Sequence, residues 1–173
     1  MVSDFVKKIN SKIILYFHND PRTMKGAKTV SDRINLLNSV DKIIFISNWV
    51  KKRFFEGLPN FSENKTQVIY HSIDPVTKNT KKNKQIIFVG KLNESKGYDL
   101  FCKALFPILD KHTDWKAISI GDEKRFQHYN THKKHINLGQ IPHKKVLKYL
   151  SESEIAVIPS RWEEPFGRTA LEA

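Results

Sequence analysis

The sequence predicts an α/β fold built on parallel strands, and three observations carry that prediction. Short runs rich in β-branched residues recur, and several hold consecutive apolar residues instead of an alternation. Strands covered on both faces of a parallel sheet have this pattern. Segments with apolar residues at helical spacing lie between the runs. Glycines follow some of the runs, at the strand ends where open α/β sheets carry their binding loops.

The strand candidates are KIILYF (12–17), KIIFI (42–46), QVIY (67–70), QIIFV (85–89), WKAISI (115–120) and EIAVI (154–158), with a further short strand in HINLGQ (135–140). Residues 29–40 place Val30, Ile34, Leu37 and Val40 on one helical face. Residues 98–109 do the same with Leu100, Phe101, Ala104, Leu105 and Ile108, and residues 143–150 with Val146, Leu147 and Leu150. Ser47 is placed to cap the helix of NWVKKRFF, whose Trp49, Phe54 and Phe55 read as core. Pro142 suits the first turn of its helix. The clear composition break is DPVTKNTKKNK (74–84), polar and lysine-rich, which reads as a linker between two lobes. The predicted organisation is therefore an incomplete lobe over 1–73, the linker 74–84, and a second lobe over 85–173. The first is too small for a full α/β domain and the second stops inside a motif, so both are expected to be portions of larger domains.

The chain of 173 residues is 39% hydrophobic and 11% aromatic, which excludes disorder as its main state. No apolar run reaches the roughly 18–20 residues of a membrane span, and residues 1–8 lack the order of a secretion signal. The single cysteine, Cys102, allows no intrachain disulfide and fits a reducing compartment. With 30 Lys+Arg against 18 Asp+Glu, the net charge of +12 suits anionic ligands, nucleic acid or an anionic membrane surface without choosing among them.

Two stretches could carry chemistry. In IIFVGKLNESKGYDLF (86–101) a strand ends at Gly90, and Lys91 and Lys96 stand before a helix that follows Gly97. This outlines a phosphate site, although a solvated loop has the same composition. There is no Walker loop and no G-x-G-x-x-G. In SRWEEPFGRTALEA (160–173), Glu164 precedes a helix start near Gly167 and Glu172 lies within that helix. Side chains on a helix lean toward its N-terminus, so the two carboxylates could flank one ligand and accept its paired hydroxyls. The competing reading is a helix-terminus carboxylate and a surface glutamate. His128, His132, His135 and His143 sit among lysines with no acidic neighbour in sequence, and a metal site there is disfavoured.

These segments, taken together, resemble family 4 glycosyltransferases of GT-B architecture (glycosyl transferases group 1). PSRWEEPFGRTALEA (159–173) is similar to their E-P-F-G-x-x-x-x-E signature, and VGKLNESKGYDLFCKAL (89–105) to their V-G-R-L-x-x-x-K-G segment. VDKIIFISNWVKKRF (40–54), VIYHSIDP (68–75) and YFHNDP (16–21) resemble the close of the N-terminal domain, its crossing to the C-terminal one, and a cleft motif. The resemblance implies two Rossmann-like domains, here the end of the acceptor-side domain and most of the donor-binding one. It implies that Lys96 contacts a diphosphate and that Lys91 stands in for the usual arginine, with loss of the planar fork. It further implies that Glu172 holds ribose hydroxyls, and that Glu164 with the Phe166, Gly167 and Arg168 backbone holds the donor sugar. Gly139 and Gln140 would border the base, and His18 would position the sugar from the other domain. Ser72 replaces the glycine usual at the domain crossing.

The implied function is retaining transfer, of the hexosyltransferase type, from a UDP- or GDP-sugar to a saccharide or lipid-linked saccharide. It needs no catalytic metal and no nucleic acid. Cell-envelope polysaccharide or lipopolysaccharide synthesis is the expected setting, with a cytoplasmic location and peripheral contact at the inner face of an anionic membrane. Three alternatives stand beside it: a non-hydrolysing nucleotide-sugar epimerase, which EPFG argues against; a non-catalytic nucleotide-sugar-binding or scaffold protein; and a basic RNA-binding domain, for which the covered strands offer no open sheet.

Overall fold

Where apolar runs predict strands, the chain pairs them into two parallel sheets, one in each of two compact units, Met1–Ser72 and Ile73–Ala173. The computed structural model describes residues 11–58, 64–74, 80–123 and 132–173. The readings of residues 1–8, of positions 75–79 in the linker, and of His128 lie outside the described residues.

In the first unit, β1 (Ile14–Phe17), β2 (Lys42–Phe45) and β3 (Thr66–Val68) lie in that order, with Phe17 opposite Phe45 and Phe45 opposite Val68. Helix α1 (Val30–Ser39) joins β1 to β2, and α2 (Asn48–Phe55) joins β2 to β3. Each begins on a side-chain cap. Thr29 and Asp32 form a capping box, and Ser47 Oγ accepts from the Val50 amide at 3.2 Å, as its position predicts. Phe17, Phe45 and Phe54 pack with ring centroids 5.1–5.9 Å apart at the centre of this unit.

Two expectations need correction here. The buried face of α1 carries Arg33, Leu36 and Leu37, while Val30 is 40% exposed. Periodicity alone ranks an arginine as surface. Arg33 is buried because its guanidinium donates to the carbonyls of Ala27, Lys28 and Glu56 at 3.2, 3.0 and 2.7 Å, which offsets its desolvation. Trp49 is only half-buried, with the Arg53 guanidinium 5.5 Å from its ring centre, so of the expected aromatic trio Phe54 alone is fully buried.

The second unit orders β4 (Asn83–Val89), β5 (Lys116–Ile120), β6 (His135–Asn137) and β7 (Ser153–Ala156) as β6-β5-β4-β7, all parallel. β4 takes in Asn83 and Lys84 from the segment read as a linker. Its alternate residues serve two cores. Ile86 and Phe88 meet Tyr98, Phe101, Leu105 and Leu109 of α3 (Tyr98–Lys111), while Ile87 meets Val146 and Leu150 of α4 (His143–Glu152) on the other face. Full burial of such side chains contributes about 1.5–3 kcal/mol each. A short helix, α5 (Arg168–Glu172), ends the chain. The chain leaves β4 on one side for β5 and β6 and returns on the other for β7, which makes the β4/β7 boundary the topological switch point.

β7 is one exception to the covered-strand rule, and Ile14 of β1 (61% exposed) and Ile136 of β6 (52%) are others. β7 forms the sheet edge with Ser153 buried but Ile155 43% exposed, and Ile158 beyond it equally so. Leu100 and Ile108 of α3, read as core, are 42% exposed on the same flank. An apolar run states that cover is favourable; it does not say which element supplies it. Among the described residues no helix is long and apolar enough to cross a membrane.

Candidate functional site

The loops that leave β4 and β7 meet beyond the carboxyl ends of those strands. After Gly90, Asn93 caps a 3₁₀ turn, Glu94–Lys96, its side-chain oxygen accepting from the Lys96 amide at 3.1 Å. Gly97 then adopts φ 71°, and a Cβ there would lie 2.0 Å from the Pro159 carbonyl oxygen. Glycine is thus required twice over, for the left-handed backbone and for the approach of the β7 loop. The amides of Arg161 and Trp162 both donate to the Ser95 carbonyl at 3.0 Å. The Arg161 guanidinium grips Asp99 through two hydrogen bonds of 2.6 and 2.7 Å and reaches the Glu94 carbonyl at 2.7 Å. These bonds hold the Asp99 carboxyl down at about 2.

A hollow of about 220 Å³ lies between the stitched loops, bordered by Gly90, Lys96, Ser160, Glu164, Gly167 and Arg168 among others. Inside it the Lys96 ammonium is paired with the Glu164 carboxylate, and Ser160 Oγ donates to the same carboxylate oxygen at 2.9 Å. Both side chains of the pair are roughly two-thirds shielded, at 31% and 29% exposure. A cation and a carboxylate that neutralise each other in a polar hollow suit a ligand carrying both an anionic group and hydroxyls, since each can exchange its partner for a ligand atom.

The remaining predicted residues are distributed around this centre. Lys91 is exposed, and its side chain pairs with nothing among the described residues. Gly167, at φ 75°, opens α5, and Phe166 is half-buried before it. Glu172 lies outside the lining of the hollow. Its side chain is 6% exposed, and its Oε1 accepts from Arg168 Nε at 2.7 Å and from His143 Nε2 at 2.9 Å. Gly139 joins the end of β5, its carbonyl accepting from Gly121 at 2.9 Å, and Gln140 beside it is exposed. His18 belongs to the first unit. It follows β1, is exposed, and its ring centre lies 4.3 Å from that of Tyr16 and 5.3 Å from that of His71.

Sequence reasoning missed Ser160, Arg161, Asp99 and His143. Arg161 and Asp99 are 62 positions apart, and neither has a local pattern that names the other. The histidines also read differently once folded. His132 meets Asp110 at 3.2 Å, His135 meets Ser119 at 2.7 Å and His143 meets Glu172, so each has its own partner in its own place. The carboxylates that sequence proximity did not offer arrive from distant helices. Among the described residues no group of three or more His, Cys, Asp or Glu is placed to hold a metal ion.

Fold and site define a Rossmann-like α/β protein whose polar crevice sits at the switch point of its second sheet. The chain belongs to the glycosyl transferases group 1 family, whose profile matches residues 71–173. It is 27% identical to the putative glycosyltransferase YtcC of Bacillus subtilis, aligning 95% of this chain with 48% of that protein. It is also 27% identical to 2-deoxystreptamine N-acetyl-D-glucosaminyltransferase of Niallia circulans, over 99% of this chain and 43% of the relative. Among solved structures, Anabaena HepE in complex with UDP-glucose superposes with a TM-score of 0.70 at 16% identity, over 94% of this chain and 50% of that one. The fold is that of the GT-B glycosyltransferases. The chain spans less than half the length of these two curated relatives.

Proposed function

We propose that the chain is the donor-binding part of a retaining, family 4 glycosyltransferase together with the end of its acceptor-side domain. The single observation that carries this reading is the Lys96–Glu164 pair with Ser160, set in the switch-point hollow within the region that matches the family. On binding a UDP- or GDP-sugar, Lys96 exchanges Glu164 for the diphosphate, and Lys91 adds charge at the mouth. Glu164, thus released, orients sugar hydroxyls together with the backbone from Phe166 to Arg168. Glu172 takes the ribose hydroxyls, and Gly139 and Gln140 border the base.

In the transfer, the bond from the anomeric carbon to the diphosphate oxygen breaks as the acceptor hydroxyl oxygen bonds on the same face. The hydroxyl proton passes to the departing phosphate. Lysine charge aimed at the leaving group supplies the dominant stabilisation, without a catalytic metal. His18 serves from the first unit as a positioning group. The acceptor is a saccharide or lipid-linked saccharide of the cell envelope, and the +12 charge suits work on the cytoplasmic side of an anionic membrane.

Thermal unfolding with UDP, GDP and RNA tests the reading. UDP or GDP at millimolar concentration is expected to raise the melting temperature and RNA is not. No shift with either nucleotide sinks the donor-site assignment. Slow hydrolysis of a UDP- or GDP-sugar would then separate an enzyme from a silent binder.

A further inference from the structure

His143 lies one helical turn ahead of Val146 and two ahead of Leu150, on the same face of α4, and those two are 8% and 3% exposed in the core beneath β4 and β5. The core therefore fixes the helix that carries His143, whose own side chain is 54% exposed. Its Nε2 lies 2.9 Å from Glu172 Oε1, and a carboxylate oxygen can only accept, so the imidazole donates there. Arg168 Nε donates to the same oxygen at 2.7 Å. Among the described residues Oε2 has no hydrogen-bond partner. The side chain is 6% exposed, so a carboxylate nearly withdrawn from water is anchored by one oxygen only.

The two anchors are not equivalent. Arg168 and Glu172 share the five-residue α5, and a bond within one short helix does not tie that helix to anything else. His143 belongs to a ten-residue helix held by the core. Among the described residues it alone fastens the carboxylate to a rigid element, which is what a precise ligand contact needs.

We infer that His143 is a positioning residue for the donor nucleotide: by holding Oε1 of Glu172 it presents Oε2 to the vicinal hydroxyls of the ribose. This rests on the reading of Glu172 as the ribose-binding carboxylate, and the experiment keeps the two separable. Calorimetric titration of the 173-residue chain uses UDP, GDP and the 2′,3′-dideoxy counterpart of whichever binds. In His143→Leu the ribonucleotide is expected to bind about tenfold more weakly, the loss of one charge-assisted hydrogen bond, while the dideoxy compound binds as before. His143→Gln, whose amide still donates, recovers most of the affinity. Equal weakening of both nucleotides by His143→Leu means damage to the fold and overturns the inference. If Glu172→Gln weakens the ribonucleotide selectively but His143→Leu does not, the inference alone falls. If Glu172→Gln changes nothing, or neither nucleotide binds the unmodified chain, the ribose reading fails and takes the inference with it.

Discussion

Two hollows of the second unit share a strand and differ in kind. Along the flank of β7 and α3 runs a groove of about 460 Å³ walled by Ile86, Leu100, Leu105, Ile108, Trp115 and Ile155. Beyond the carboxyl ends of β4 and β7 lies the hollow of about 220 Å³ that contains Lys96, Ser160 and Glu164. The larger one offers volume and apolar surface but no convergent polar groups to orient a substrate. The smaller one holds a paired cation and carboxylate, and each ion can exchange the other for a ligand atom. Chemistry follows convergent polar groups at strand ends, and size is a poor guide to it.

The sharpest way to break this contrast is to push the loops of the smaller hollow apart. In Gly97→Ala the new methyl meets the Pro159 carbonyl oxygen at 2.0 Å with φ at 71°, so the backbone must move. The expected cost is about 3 kcal/mol in chemical denaturation, together with loss of nucleotide binding. Gly26→Ala provides the control. It has a comparable φ of 87° but nothing within 4 Å of the added Cβ, so only the conformational penalty of about 1 kcal/mol is expected. Equal effects at the two positions would show that the close approach of the loops contributes nothing.

Removing the charge without moving the loops comes next. Lys96→Ala is expected to weaken a nucleoside diphosphate about 100-fold, as loss of a charged contact in a partly shielded site does. Lys91→Ala, at an exposed position with no partner among the described residues, is expected to cost only about threefold. Titration calorimetry at fixed salt measures both. A larger loss from Lys91 than from Lys96 would move the anion site out of the hollow.

Much of this contrast was legible before folding. Apolar runs located the strands, Ser47 its cap, and the glycines after β4 and before α5 the loops that meet. Lys96 and Glu164 were each singled out by the motif that holds them. Their direct pairing was not, because it depends on β4 and β7 being neighbours in the sheet, 68 positions apart in the chain for the two side chains. Arg161 with Asp99 and His143 with Glu172 stayed hidden for the same reason. Burial of Arg33 was hidden by a different one: three backbone carbonyls at the ends of loops leave no side-chain pattern. The open flank of β7 was misread because hydrophobicity reports a demand for cover and not its source.

A smaller effect concerns the core that supports both hollows. His135 bridges β6 to Ser119 of β5, and burial pushes its imidazole below the usual histidine range, with the nearby His132 adding to the depression. The unfolded chain then takes up a proton first as the pH drops. This contribution to stability is complete above about pH 6.5 and is lost as the pH falls through the depressed folded value. Urea denaturation at pH 7.5 and 5.5 is expected to give a lower midpoint at the acid pH, and His135→Gln to shrink that difference. An undiminished difference in the variant assigns the acid sensitivity to other groups.

The smallest expected effect is the one that tests the larger groove. Leu100 is 42% exposed on its wall, so Leu100→Ser removes an apolar group that is already partly in contact with water. The change in stability is expected to stay within about 0.5 kcal/mol, the usual range for surface positions. Nucleotide affinity should be unchanged, because Leu100 lies on the groove and does not line the hollow that holds Lys96 and Glu164. Denaturation and titration on the same sample decide the matter. If Leu100→Ser weakened nucleotide binding as Lys96→Ala does, the two hollows would be one functional surface, and the division between apolar support and polar chemistry would fail.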